Sequence, residues 1–350
     1  MIWKHLYFIL FSIISFLSVA SHDRFKFPVP GPYPVGFNSV RQKSKQGFPI
    51  QISIWYPSKK AKEKMTWQDY LNIGNAGNPG NPGSLSEEFR KTIAIGWVMG
   101  LDIPGQTFNE ALKSTTNASY DAGMLQGKFP LIIALASPSM YLESFEFFAS
   151  HGFIVAAIEG AFPHDTITDQ NPQFFVKYTD LLEELLLLMI SKKQVNGNDI
   201  SVFGHGFGIQ PAMYLAMRNS SIKKIINYDG GFFGPRSKST LSIDYQPKKL
   251  QIPMLHIITK EQKSEDDINQ FTALSNLVTR IVVQHDFFRH HDFSSFGRFV
   301  SDGANLRGEH ADAINKIFNE VHQAARLFLL NKPVTIQTTS LLSLEKFNDK

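Results

Sequence analysis

The sequence predicts an α/β fold: a mostly parallel central sheet with helices on both faces. Two observations predict it. Apolar runs of strand length, such as Pro130–Ala136 and Phe153–Glu159, have no polar alternation, as expected of strands buried on both faces. These runs alternate with helical segments along the chain, the pattern of a parallel sheet wrapped by crossover helices. The 350 residues are 43% hydrophobic, enough for one large core, and no Pro/Ser linker separates two apolar halves.

The elements follow in order. Residues 1–21 read as a secretory signal peptide: Lys4, an apolar stretch from Leu6 to Leu17, then small residues from Ser18 to Ser21. The apolar run is short for a bilayer span of about 20 residues, so no stable membrane span is expected after its removal, and the expected location is secreted or periplasmic. The chain has no cysteine, so disulfides are excluded. Residues 22–335 are expected to form a single domain. Pro34–Arg41 and Phe48–Pro57 predict two strands joined as a hairpin across Gln42–Gly47. A long insert at 58–128 follows, with an Asn/Gly/Pro tract over Asn72–Ser84 that predicts irregular structure, the pattern of a lid or Ω-loop. After the two apolar strands, Leu142–Ser150 and Lys177–Lys193 predict helices; Asp180, Glu183 and Glu184 give the second a polar face, so its Leu185–Ile190 centre is expected to pack on a sheet. Ile200–Phe203, Lys223–Asp229, Gln251–Ile258 and Arg280–Gln284 predict four more strands. Helices are expected over Ile209–Arg218 and Glu309–Leu330, and residues 336–350 read as a tail.

The charge balance narrows the partners. A net charge of +4, scattered without a basic stripe, disfavours nucleic acid. The 30 phenylalanines fit a packed core better than a ligand wall.

The chemistry is expected at the carboxyl ends of the strands. Gly204, His205, Gly206, Phe207 and Gly208 lie between a strand and a helix, the setting of the G-x-S-x-G nucleophile elbow. The two outer glycines are in place, but Gly206 stands where the serine belongs. Asp229 ends a buried strand and His290 follows the last one, so the order nucleophile, acid, histidine is complete but for the hydroxyl. His291 and His285 compete with His290 for the third position. His205 is expected to pack. Ser137 and Ser139 are candidate substitute nucleophiles with nothing in the sequence to set them against His290. His164 and Asp165 read as surface residues near the cleft. No ligand spacing for a metal is present, and no cofactor is expected.

The chain resembles the secreted α/β-hydrolases related to platelet-activating factor acetylhydrolase and, more distantly, dienelactone hydrolase. Gly31–Gly36, Trp55–Pro57, Gly127–Ile133, Ala149–Val155, Asp229–Gly231 and His290–Ser295 carry the resemblance over most of the chain, and Met65–Tyr70 is similar to inserts of bacterial members. The resemblance implies an α/β-hydrolase fold and carboxylic-ester hydrolysis of the acetylhydrolase or lipase type. It implies an acid at Asp229, a base at His290 and an oxyanion donor at the N–H of Phe207. It also exposes the departures. The serine position is Gly206, and the oxyanion loop offers Ala136, Ser137 and then Pro138, which has no N–H. The expected product of this history is an impaired hydrolase that binds a small ester or lipid-like ligand. The alternatives are an active hydrolase using activated water or another serine, and an interaction protein using the insert to meet a protein partner of unknown identity.

Overall fold

In the computed structural model, which describes residues 28–47, 49–59, 63–75, 112–136, 138–160, 172–230, 246–263, 277–295, 297–298 and 308–347, the two leading strands form the expected antiparallel hairpin. β1 (Val35–Lys43) pairs with β2 (Pro49–Pro57) from Val35↔Pro57 to Lys43↔Pro49. Residues 1–21, expected to be a signal peptide, lie outside the described residues.

The central strands are β4 (Phe129–Leu135), β5 (Ile154–Gly160), β6 (Val195–His205), β7 (Ile222–Tyr228), β8 (Met254–Thr259) and β9 (Val278–Val283). With β3 (Ala118–Tyr120) and β10 (Leu342–Phe347), the described residues make a ten-stranded sheet in the order β10-β9-β8-β7-β6-β4-β5-β2-β1-β3. From β5 through β4 and β6 to β9 every neighbouring pair is parallel. The antiparallel pairs lie toward the two ends, where β2 meets β5 and β1, and β10 meets β9.

Alternation along each strand feeds two separate cores. On β4, Ile132 and Ala134 join one core while Leu131 and Ile133 join the other. The first core is capped by helices α2 (Pro138–Ser150) and α5 (Ala311–Leu329), through Phe145, Phe148, Phe318 and Val321. The second is capped by α3 (Pro172–Ile190) and α4 (Ile209–Arg218), through Leu182, Leu185, Met213 and Tyr214. Phe37, Phe145, Phe148, Phe153 and Phe203 are all buried in packing. The leucine-rich end of α3 divides. Leu185, Leu186 and Met189 are buried on the sheet side, while Leu187, Leu188 and Ile190 are exposed. Among the described residues no helix is long and apolar enough to cross a membrane.

Two local expectations are corrected. Residues 342–347, read as tail, form β10, with Leu342 buried against the neighbouring strand. An edge strand needs only one apolar face over a few residues, so its alternation is faint in sequence. The Asn/Gly/Pro tract begins inside a helix, α1 (Trp67–Asn75); residues 76–84 of the tract lie outside the described residues. The signal was a capping box: Thr66 Oγ accepts the Asp69 N–H at 3.2 Å, and Asp69 accepts the Thr66 N–H at 2.7 Å. The helix expected from Leu142 to Ser150 is present; a short turn from Pro138 precedes it in α2, set off by non-helical backbone at Tyr141 (φ −131°, ψ 20°).

The described ends of the insert are tied to α2 by one buried carboxylate. Glu146, 1% exposed, accepts the Tyr70 hydroxyl of α1 at 2.8 Å and the Asn117 N–H at 2.7 Å. Tyr70 in turn accepts the Trp55 indole N–H at 3.0 Å. Burial pushes the Glu146 carboxyl up to about 7, against the opposing pull of these donors. An acid raised on folding holds its proton better in the native state. Its contribution is therefore complete below the unfolded value of about 4.5 and is lost as pH rises through 7. The chain is expected to lose roughly 3 kcal/mol between pH 4.5 and 8 from this group, and Glu146→Gln to flatten that slope. Urea midpoints across that range for both proteins measure it.

Candidate active site

The carboxyl ends of β6, β7 and β8 meet where the sheet hands over to α4. β6 ends at His205, a single 3₁₀ turn spans Gly206–Gly208, and α4 begins at Ile209. This turn is tight enough to select glycine sterically. A Cβ on Gly204 would lie 2.4 Å from the Ile209 Cα, and one on Gly208 would lie 3.2 Å from the Leu135 carbonyl. Gly206 is left-handed, φ +52°, a conformation glycine adopts without cost. A Cβ built on it points straight at His290, 3.0 Å from both Nε2 and Cε1. That spacing is tighter than ordinary Cβ contacts, so a side chain at 206 would require the imidazole to give by a few tenths of an ångström.

Asp229 stands one residue beyond the end of β7 and is also left-handed, φ +46°. A non-glycine residue there carries strain of order 1–3 kcal/mol. The turn is held by several bonds. The Asp229 N–H donates to Ile257 O at 2.7 Å, and Asn227 Oδ1 accepts the Gly230 N–H at 3.0 Å. The carboxylate is buried, and its Oδ1 accepts the Thr259 N–H at 2.8 Å and the Thr259 hydroxyl at 3.2 Å. That leaves Oδ2 for His290, whose Nδ1–H donates to it at 2.7 Å. The His290 side chain is 44% exposed. Asp229 therefore fixes the ring from behind and turns Nε2 toward residue 206 and solvent.

His290 sits in a short 3₁₀ segment, His290–Phe293, fastened beneath by a buried ion pair. Arg298 Nη1 donates to Glu143 at 2.8 Å, its Nη2 donates to Asn315 at 2.5 Å, and its guanidinium lies 3.8 Å over the Phe318 ring. Ser295 Oγ accepts the Glu143 N–H at 2.9 Å. The histidine loop is thus tied to both α2 and α5.

His205 does more than pack. Its ring stacks on His290 with centroids 4.3 Å apart and planes 28° apart. Its Nε2–H donates to the His290 carbonyl at 3.0 Å, so Nδ1 is the acceptor and takes the Tyr141 hydroxyl at 2.7 Å. Burial, with the facing His290 adding to it, lowers the His205 pKa well below the usual histidine value, which keeps this ring neutral. The strand-end pattern alone did not reveal this stack or the Thr259 anchor. A histidine beside the elbow glycine was its only trace in sequence.

The other candidates fall as follows. His291 pairs with Asp292 at 3.7 Å, and His285 lies among Phe287 and His310. Of the three, His290 is the one hydrogen-bonded to the Asp229 carboxylate, at 2.7 Å. Ser139 is buried at the start of α2, Pro138 is the first residue of that helix, and Phe207 is the middle residue of the glycine turn. Ser137, His164 and Asp165 lie outside the described residues. Among the described residues no group of three His, Cys, Asp or Glu side chains is arranged to hold a metal ion.

No protein-family model matches the chain, and no curated protein does. Solved structures do match. A ferulic acid esterase from Streptomyces cinnamoneus superposes with a TM-score of 0.64 at 16% identity, over 91% of this chain and 97% of that one. A dienelactone hydrolase-like promiscuous phosphotriesterase from metagenomic libraries matches with a TM-score of 0.44 at 10% identity, over 83% of this chain and 98% of that one. This chain has the α/β-hydrolase fold. Within that fold, the turn at Gly206 joins the end of β6 to α4, and Asp229 and His290 come after it along the chain.

The glycine turn between β6 and α4 gives a direct steric test. Gly204→Ala is expected to destabilise by about 1–3 kcal/mol or more, because its Cβ meets the α4 backbone. Gly197→Ala, where a Cβ meets nothing within 4 Å, is expected to be near neutral. Chemical denaturation of the two variants compares them.

Proposed function

We propose that this protein is a carboxylic-ester hydrolase type of α/β-hydrolase-fold protein, of the acetylhydrolase or lipase kind, crippled at its nucleophile and retaining a cleft for an ester- or lipid-like ligand. The observation that carries the reading is the aim of Gly206: a side chain there would run into His290 Nε2, and His290 Nδ1 is bonded to Asp229. In a working triad the histidine takes the serine proton as the oxygen attacks the acyl carbon, and the acid holds the ring in the right tautomer. Here the second and third parts of that relay stand in register with a glycine. Glycine supplies neither the oxygen nor the proton.

Part of the oxyanion cradle is compatible with the loss. The donor that follows the nucleophile position is the backbone N–H of Phe207, which needs no particular side chain. The second donor is weakened by Pro138, which has no N–H. Loss of one triad member leaves roughly 10³–10⁴-fold catalysis over water from the cradle and binding alone, far below the normal level. The apolar leader at residues 1–21 supports export, so the ligand would be met outside the cytoplasm.

Restoring the hydroxyl tests the reading. Gly206→Ser is expected to raise p-nitrophenyl acetate turnover by at least about 10²-fold and to create a site for fluorophosphonate labelling at position 206. The serine must adopt φ near +52°, and the exposed edge of His290 must yield a few tenths of an ångström, so a stability loss of order 1–3 kcal/mol is expected alongside. A folded variant with no gain in turnover and no label would sink the proposal. Labelling of the unmodified protein at a serine would point instead to an unorthodox nucleophile.

A further inference from the structure

We infer that His290 Nε2 is itself the nucleophile of this site, making the protein a slow transferase of activated acyl groups to water through an acyl-histidine intermediate. The inference rests on the reading above, that residue 206 faces the imidazole in a former ester cleft. It assigns the site an activity of its own.

Four features of the site converge on that nitrogen. In the neutral ring the Nδ1–H is committed to Asp229 Oδ2 at 2.7 Å, so Nε2 carries the free lone pair. In an ordinary triad that lone pair is occupied by the serine hydroxyl. Here the residue beneath it is a glycine, which has no side chain to occupy it. The side chain is 44% exposed, so an acyl carbon can reach it. The ring cannot turn away easily: His205 stacks on one face at 4.3 Å, with its own nitrogens occupied by Tyr141 and the His290 carbonyl. His205 is thus unable to compete for the acyl group, and the reactive imidazole of the pair is defined. Histidine is an accepted covalent catalyst, activated here by an adjacent carboxylate as serine is by histidine.

The step balances as follows. The Nε2 lone pair adds to the carbonyl carbon of an aryl ester, and the C–O bond to the aryl group breaks with its electron pair leaving as phenolate. The acylimidazolium keeps its Nδ1 proton, and the Asp229 carboxylate beside it offsets the new positive charge. Water then adds to the acyl carbon and gives up one proton to solvent as the C–N bond breaks. The electron pair returns to Nε2, and the carboxylic acid so formed releases its own proton to solvent in a separate ionisation. Only leaving groups that depart without protonation are served, because among the described residues His290 and its partner Asp229 are the acid–base groups that face the reacting carbon, and both are committed. The substrate class is therefore activated aryl or enol esters rather than simple alkyl esters.

The experiment uses the purified full chain with p-nitrophenyl acetate, quenched in acid and mapped by peptide mass spectrometry. The expected result is an acetyl group on His290, and a loss of at least about tenfold in turnover for His290→Gln. Asp229→Asn is the second variant. Asparagine tolerates the left-handed backbone and keeps an oxygen for Thr259, but its amide donates where the carboxylate accepted. That reverses the imidazole tautomer, protonates Nε2, and is expected to abolish the adduct while the fold survives. Ethyl acetate is expected to give no turnover. Absence of acetyl on His290, or turnover unchanged by either variant, overturns the inference. Gly206→Ser separates the two proposals: a gain in turnover with no acetyl on His290 of the unmodified protein rejects the histidine nucleophile and leaves the elbow reading standing. No gain in that variant rejects the elbow reading itself.

Discussion

The site depends on how closely the end of β6 approaches the start of α4. At Gly204 the two backbones are so near that a single methyl group would lie 2.4 Å from the Ile209 Cα. That contact forces the chain to reverse within one 3₁₀ turn and puts residue 206 at the outermost point, with a left-handed backbone. Everything after it inherits the position. α4 lies across the second core, Gly208 abuts the end of β4, and Gly206 looks outward at the histidine loop. The constraint acts through backbone alone, which is why it survives with glycine in the middle of the turn.

Asp229 and His290 are held from the opposite side by a different set of forces. Asp229 is kept in a strained conformation by backbone bonds to Ile257 and by Thr259, and its buried carboxylate has one oxygen left for His290. The loop carrying His290 is pinned by the Arg298–Glu143 pair, both members of which are buried. Breaking such a pair on one side leaves an uncompensated charge, so the loop has little freedom to drift. The stacked His205 completes the frame. Burial and the facing His290 ring 4.3 Å away hold its proton affinity well below that of an ordinary histidine.

Much of this was legible in the residues. Buried parallel strands announce themselves by unbroken apolar runs, and Asp229 and Gly206 were locatable because strand ends and glycine turns have strong local signatures. The edge strand at 342–347 was not legible, since one apolar face over six residues resembles any weakly patterned tail. Helix α1 was hidden by the Asn/Gly composition of its last turn, although its Thr66/Asp69 capping box was present. The Glu146 tie was invisible for a different reason. Its partners Tyr70 and Asn117 are 76 and 29 residues away, and nothing local marks a glutamate as buried.

By itself the sequence determined the class of fold, the order of acid and histidine behind the glycine turn, and the absence of a hydroxyl at residue 206. These follow from periodicity, turn chemistry and residue identity, all of which act over a few residues. Only the tertiary structure decided which of three histidines meets Asp229, that the ring's Nε2 faces the glycine, and that His205 backs it. Those are distances between segments brought together by the sheet, between 61 and 85 residues apart along the chain, and burial rather than local pattern sets them.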